Sequence, residues 1–147
     1  MRLLFSIAAC LFMLASCAPD AERNAPPLAS GENVQVINEL MAAFNAHDAD
    51  KMRSYWHSDV TWMEVAAQQA RVATSSSAQL HTEMIAYFEA YPSVSSSFES
   101  IVANGDFISA VEKAVWEEDG ERKSQSSIVI YEINDGKVRR FWYFPPQ

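Results

Sequence analysis

Three tight turns in the second half of the chain constrain its fold more than any other feature. Each combines Gly with Asn or Asp, and they are Asn104-Gly105-Asp106, Glu118-Asp119-Gly120 and Asn134-Asp135-Gly136. Four long segments rich in strand-favouring residues flank these turns, at 94–103, 107–117, 121–133 and 137–144. Because two-residue turns join neighbouring antiparallel strands, this half of the chain is predicted to form an antiparallel meander.

The preceding segment shows helical periodicity instead. Ile37, Leu40, Met41 and Phe44 fall on one face of a helix for which Ser30 is the predicted N-cap. Asp48 is the predicted N-cap of a short second helix that carries Met52, Tyr55 and Trp56 and ends at His57. Residues 60–65 then read as a strand, and 66–74 show no period and are predicted to be loop.

A third helix is predicted between the serines at 75–77, which are cap candidates, and Pro92, which stops it. Its apolar face consists of Leu80, Met84, Tyr87, Phe88 and Tyr91. Helices first and strands afterwards indicate an α+β domain, with three N-terminal helices packed on a curved, mostly antiparallel sheet.

The amino terminus has the pattern of a secretory signal. Met1-Arg2 is followed by an apolar run of about a dozen residues, which is shorter than the ~20 residues a membrane span needs. Leu14-Ala15-Ser16-Cys17 resembles the bacterial lipobox, in which the cysteine becomes lipidated residue one. We therefore expect a signal peptide at 1–16, lipidated Cys17 with a flexible tether to residue 30, and one domain at 31–147. By the same resemblance, Ala18 after the cysteine indicates the periplasmic side of the outer membrane.

The charge and the cysteines exclude several classes of function. The chain carries a net charge of −8, and loss of Arg2 with the signal makes it one unit more negative. Such a domain repels nucleic acid and anionic lipid, so contact with a membrane is expected through the anchor alone. Cys10 lies in the signal and Cys17 takes the lipid, which leaves no thiol for a disulfide, a metal site or a nucleophile.

Two patches resemble the nuclear transport factor 2-like superfamily, and within it the SnoaL-like polyketide cyclases. The first runs from Ala42-Ala43-Phe44-Asn45-Ala46-His47-Asp48 to Ser58-Asp59-Val60-Thr61-Trp62, and the second is Ile133-Asn134-Asp135-Gly136-Lys137-Val138. The resemblance covers about residues 32–144 and implies a cone-shaped fold with an apolar pocket at its open end. His47 departs from the pattern, because the family usually has Gly there, and Gly suits positive φ better.

The resemblance also implies which aromatic side chains point into the pocket. They are Trp62, Phe88, Tyr131, Phe141 and Tyr143, joined by Tyr55 or Trp56. The alternative interpretation is that these rings only fill the core. Buried Trp and Tyr need polar partners, which favours a pocket.

Two carboxylates are candidates for chemistry in that pocket. Glu64 falls where the ketosteroid isomerases of the superfamily place their general base, and desolvation by aromatic walls would raise its pKa. Glu112 is a lone charge on an otherwise apolar strand face, with Arg140 or Lys113 as the expected partner. Each also has a structural interpretation, as a solvated strand end and as an ion pair.

Other chemistries find less support in the residues. The isomerase oxyanion hole is missing, since Leu40 and about Val129 occupy its positions, so steroid isomerisation is excluded. His57 is a weak acid–base candidate near the pocket mouth. The histidines lack metal-ligand spacing, and no glycine-rich phosphate loop is present, so neither a metal nor another cofactor is predicted.

Three interpretations of function stay open at this point. The first is an envelope lipoprotein that binds a small apolar or amphipathic molecule in the aromatic pocket. The second is a SnoaL-like cyclase, hydrolase or dehydratase with Glu64 as base. The third is an interaction module that forms a homodimer through the outer sheet face, where Trp116 and Trp142 are expected.

Overall fold

The computed structural model describes residues 31–66 and 69–147. Three helices and six strands follow one another along the chain: α1 Glu32–Asn45, α2 Ala49–Ser54, β1 Trp56–Ala66, β2 Gln69–Thr74, α3 Ser77–Ala90, β3 Ser95–Asn104, β4 Phe107–Glu118, β5 Glu121–Asn134 and β6 Lys137–Tyr143. The predicted α+β fold, with helices packed on a curved and mostly antiparallel sheet, is confirmed. The predicted signal, lipidated cysteine and tether lie outside the described residues.

All six strands form a single sheet in the order β2-β1-β6-β5-β4-β3. The meander from β3 to β6 is confirmed, and each of its neighbouring strands pairs antiparallel. The first and last of the described strands, β1 and β6, pair in parallel as the second and third strands of the sheet. This pairing places residues from both ends of the domain beside each other, with Trp62 opposite Phe141.

The helix caps agree in part with the sequence patterns. Asp48 accepts a hydrogen bond from the backbone N–H of Lys51, and Ser76 accepts one from Gln79, so both predicted caps are confirmed. Ser30 lies outside the described residues, and the N-cap position of α1 is Gly31, which provides no side-chain cap. Within the described part of the chain, no helix has the length and apolar character needed to cross a bilayer.

Two assignments between the helices are wrong. Residues 69–74 were expected in a loop but form β2, an edge strand whose first four residues are exposed and therefore show no apolar period. His57 was expected at the end of α2 but lies in β1, which begins at Trp56. The backbone N–H of Val138 donates to Tyr55 O at 2.8 Å, so pairing with β6 replaces the helical pattern there.

The core lies between the helices and the inner face of the sheet. Ile37, Leu80, Ile108 and Ile133 are each at most 1% exposed, and each contributes about 1.5–3 kcal/mol by burial. Helix α1 contacts β3 and β6, α3 contacts β1, and α2 connects the two long helices. Because the helices cover only part of the curved sheet, space remains beside the core.

Candidate functional site

A cavity of about 240 Å³ lies between the helices and the inner sheet face. Its walls consist of Leu40, Met41, Phe44, Met52, Trp56, Trp62, Leu80, Met84, Tyr87, Ser96, Glu112, Ala114, Gln125, Ser127, Tyr131, Phe141 and Tyr143. The volume suits one small organic molecule, and the concave, mainly apolar surface is typical of a ligand pocket.

The helical wall of this cavity is almost entirely apolar. Leu40, Met41 and Phe44 come from one face of α1, and Leu80 and Met84 are separated by one turn of α3. The helical periodicity that predicts a core face therefore also builds this wall. Tyr87 of α3 adds a half-buried phenol, and burial raises its pKa above 10.0.

The sheet provides the polar part of the wall, as a polar strip defined by Glu112, Ser127 and Gln125. Glu112 on β4 pairs with Ser127 on β5, and Gln125 lies two residues earlier on β5, opposite Ala114. Alternation along each strand directs all three to the inner face. The cavity thus combines an apolar wall with a line of polar groups opposite it.

Glu112 is the most unusual member of the polar strip, because its side chain is buried. Only 9% of the residue is exposed. Tyr131 Oη donates a hydrogen bond to Glu112 Oε2 at 3.3 Å, and Tyr143 Oη donates to the same oxygen over a shorter contact. Both contacts use Oε2 and neither uses Oε1.

Burial raises the pKa of Glu112, and hydrogen bonds from Tyr143 and Tyr131 oppose this shift in part. Ser96 Oγ lies near enough to lower the pKa further but has no partner with hydrogen-bond geometry in the described structure. Burial and the neighbouring Glu112 raise the pKa of Tyr131 and Tyr143 well above 10.0. The two phenols therefore stay protonated donors at neutral pH.

An array of aromatic rings continues from the two tyrosines. The ring centres of Trp62 and Phe141 are 5.7 Å apart, those of Trp62 and Tyr143 5.9 Å, and those of Tyr131 and Phe141 6.2 Å. We refer to Trp62, Tyr131, Phe141 and Tyr143 as the aromatic wall. The parallel pairing of β1 with β6 brings Trp62 into this set.

The structure brings most of the predicted aromatic residues to the cavity. The aromatic wall and Trp56 line it, whereas Tyr55 and Phe88 do not. Phe88 is buried beside Phe44, and the ring of His47 stacks on it at 4.5 Å. Tyr55 lies beneath Lys51, whose Nζ is 5.1 Å from the ring centre.

The two residues predicted to act in catalysis do not line the cavity. Glu64 forms an ion pair with Arg71 of β2, and 38% of its side chain is exposed, so it lacks the expected aromatic enclosure. The His57 ring nitrogen Nε2 lies 2.8 Å from Asn134 O. Of the residues that the structure describes in the cavity wall, Glu112 is the only acidic one.

The predicted basic partners of Glu112 are wrong. Lys113 pairs with Glu99 at 3.6 Å, and Arg140 pairs with Glu132 at 3.1 Å. Lys113 follows Glu112 directly on β4, so strand alternation directs it to the opposite face. The true partners are the phenols, which were predicted to point inward but not to bind a carboxyl group.

Ser96, Ser127, Gln125 and the helical lining residues were not predicted as site residues. The turn at Glu118-Asp119-Gly120 contains a usable signal for two of them, because it pairs Glu118 with Glu121 and so sets Ser127 opposite Glu112. Trp116 was expected on the outer sheet face but packs inward against Tyr91, with ring centres 6.3 Å apart. Trp142 lies beneath Arg140.

No group of three or more His, Cys, Asp and Glu residues that could hold a metal ion occurs in the described ranges. Within the same ranges, the residues that line the cavity include one carboxyl group and no histidine. The site therefore combines an apolar enclosure with neutral hydrogen-bonding groups and one carboxyl group. Burial disfavours the charged form of that carboxyl group.

Comparisons with known proteins point to one family. A family model described as the SnoaL-like domain matches residues 37–141, whereas no curated protein matches the chain. AclR, a candidate hydroxylase from Streptomyces galilaeus, is 22% identical, with a TM-score of 0.63 over 79% of this chain and 89% of its own. An uncharacterised cystatin-fold protein from Novosphingobium aromaticivorans is 18% identical, with a TM-score of 0.68 over 79% of this chain and 100% of its own.

A third similar structure is that of TerC, which was crystallised with polyporic acid. TerC is 16% identical to this chain, with a TM-score of 0.63 over 77% of this chain and 90% of its own. At these identities the likeness shows a shared fold.

Proposed function

The chain belongs to the SnoaL-like domain family, and on this basis we propose that its cavity binds one small amphipathic molecule. The observation that carries the proposal is the division of the cavity walls. Apolar side chains of α1 and α3 form one wall, and the polar strip and the tyrosine hydroxyls lie on the sheet. A ligand with an apolar body and a polar group at one side satisfies both walls.

The similar structures support the use of this fold for small molecules. TerC was crystallised with polyporic acid, and AclR is described as a candidate hydroxylase. The crystallisation of TerC with polyporic acid supports a small-molecule ligand for a domain of this fold.

An enzyme is the second candidate function, and the position of Glu112 favours it. A buried carboxyl group with a raised pKa lies at the cavity wall, where a bound molecule would contact it. Such a group has the properties of a general acid or base. We therefore assign the role first considered for Glu64 to Glu112, because Glu64 is ion-paired outside the cavity wall.

We further propose that residues 1–30 deliver the domain to the bacterial envelope, with Cys17 lipidated at the membrane. The apolar run, the small residues before Cys17 and the proline-containing segment after it support this proposal. A single acyl chain binds membranes only marginally, whereas several chains on one cysteine give a stable anchor. The domain would then face the periplasm.

A binding assay with a blocked cavity tests the ligand proposal. The uncharged dye N-phenyl-1-naphthylamine is expected to bind with enhanced fluorescence, since the cavity excludes water from an apolar guest. Ala114→Trp places an indole in the cavity and should weaken dye binding about tenfold or more. Ser109→Trp is the matched control, because Ser109 is exposed on the same strand and does not line the cavity.

The control variant should bind the dye as the wild type does, and circular dichroism verifies that both variants fold. Dye binding that is absent from the wild type, or equal in the two variants, contradicts the proposal.

A further inference from the structure

Glu112 is a buried acid without a cationic partner. Among the described residues that line the cavity, none is Lys, Arg or His. The neighbouring bases are engaged elsewhere, Lys113 with Glu99 and Arg140 with Glu132. Buried carboxyl groups are usually paired with a basic side chain. At Glu112 the described part of the protein provides no such partner, so a positively charged ligand group could pair with the carboxylate instead.

The two tyrosine hydrogen bonds to Glu112 use one carboxylate oxygen, and the buried Ser96 hydroxyl is a further neutral donor close to the carboxyl group. Tyr131 and Tyr143 both donate to Oε2, which holds the carboxyl group in a fixed orientation. Oε1 takes no part in these contacts, and Glu112 itself lines the cavity. An ammonium group has three N–H donors and is a suitable partner for a carboxylate oxygen, since charge-assisted hydrogen bonds are the strong ones.

The surroundings of Glu112 also suit a positive charge. Tyr131 and Tyr143 touch the carboxyl group, and their rings continue into Phe141 and Trp62 at centre distances of 5.7–6.2 Å. The faces of such rings attract cations, most strongly where water is excluded. Gln125 and Ser127 of the polar strip add neutral oxygen acceptors beyond Glu112.

We propose that the ligand is a hydrophobic primary amine, whose ammonium group binds Glu112 Oε1 beside the aromatic wall while its apolar body lies against α1 and α3. This inference rests on the proposed ligand-binding function and specifies its chemical class. An anionic ligand would meet the acidic group without any compensating base. The net charge of −8 attracts cations to the domain and repels anions.

The proton balance of binding follows from the same groups. The titratable side chains that line the cavity with Glu112 are Tyr131 of β5, Tyr143 of β6 and Tyr87 of α3, whereas α1 and β1 contribute none. All three tyrosines have a raised pKa and remain neutral near pH 7. When the ammonium ion enters, any proton held by Glu112 passes to solvent. Burial opposes the charge of Glu112 in the free domain, and the ammonium group offsets that cost on binding while adding the cost of its own desolvation.

Three matched naphthalene compounds test this inference on the wild-type domain by calorimetry: 2-naphthylmethylamine, 2-naphthalenemethanol and 2-naphthoic acid. The amine is expected to bind about tenfold or more tightly than the alcohol, and the acid should bind weakest. In Glu112→Gln the preference of amine over alcohol should disappear, whereas Glu64→Gln should retain it. The alcohol serves as a neutral ligand of nearly the same shape, so the comparison isolates the charge.

The possible outcomes distinguish the preference for an amine from the more general proposal that the cavity binds a ligand. If the alcohol or the acid binds as tightly as the amine, the amine assignment is overturned while ligand binding stands. If neither these compounds nor the uncharged dye binds, both fall together. The wild-type comparison decides the matter even if Glu112→Gln fails to fold.

Discussion

At the scale of single residues, Glu112 connects the sequence pattern to the site. Its position among Ile108, Ala110 and Ala114 on one strand face predicts that it needs a partner, and the structure provides two phenols. The sequence favours a base because unlike charges attract. It contains no direct signal for the phenols, since their contact depends on how far the sheet curves around the cavity.

Glu112 should make the stability of the domain depend on pH. Burial raises its folded-state pKa above the 4.5 of the unfolded chain, so the folded state holds this proton more tightly. The stabilising contribution is complete below pH 4.5 and is lost as the pH rises through the folded-state pKa. The free energy of unfolding of the wild type should fall over that range relative to Glu112→Gln, as measured by urea unfolding at a series of pH values.

Comparison with a variant removes the effect of other acids, such as Glu39, whose lowered pKa acts in the opposite direction. Glu64→Gln, which alters an exposed ion pair, is the control and should follow the wild-type profile. If the free energy of unfolding depends on pH in the same way for the wild type and Glu112→Gln, burial does not raise the pKa of Glu112.

His47 illustrates a conformational requirement that was visible in the sequence. The resemblance places Gly at this position, and His47 indeed adopts a φ of +53°. Two contacts hold it there: Nε2 lies 2.8 Å from Val94 O, and the ring stacks on Phe88. A side chain with such contacts offsets a backbone cost of about 1 kcal/mol.

At the scale of elements, local patterns predict most of the fold. Turn residues locate β3 to β6, and the spacing of Ile37, Leu40 and Phe44 locates α1. The patterns fail for β2 and for the start of β1. The start of β1 depends on pairing with the distant β6, whereas β2 pairs with its neighbour β1 as an edge strand and buries too little apolar surface to show a period.

The cap of α3 should have a measurable share in stability. Ser76 accepts the N–H of Gln79 at 3.2 Å, and this donor has no helical partner without it. Ser76→Ala is expected to lower the free energy of unfolding by about 1 kcal/mol. Ser75→Ala is the neighbouring control, and thermal unfolding of the two variants should separate them. An equal loss in both would show that the cap is not the cause.

At the scale of the whole molecule, the fold implies a cavity, but it does not determine which polar residues line that cavity. The family resemblance implies a pocket and four rings of its aromatic wall. Glu112 lines the cavity and Glu64 does not, and this difference depends on strand pairing and helix packing between distant residues, which a single sequence does not contain.

The proposed localisation depends on residues 1–30. If Cys17 bears lipid, the protein should sediment with membranes, and intact-mass measurement should show the added acyl groups. Cys17→Ser removes the acceptor and should shift the protein out of the membrane fraction without changing dye binding. Retention of that variant on membranes would rule out this anchor, and the unchanged dye binding serves as the control for folding.

The parallel pairing of β1 with β6 has a consequence for the order of assembly. Residues 56–66 acquire their neighbour β6 only when residues 137–143, from the other end of the domain, pair with them. Such long sequence separation slows folding, and until then Trp56 and Trp62 lack their final contacts. Until that pairing forms, the aromatic surfaces that will line the cavity are exposed and can aggregate with other proteins. We expect chaperones to protect the chain during this interval.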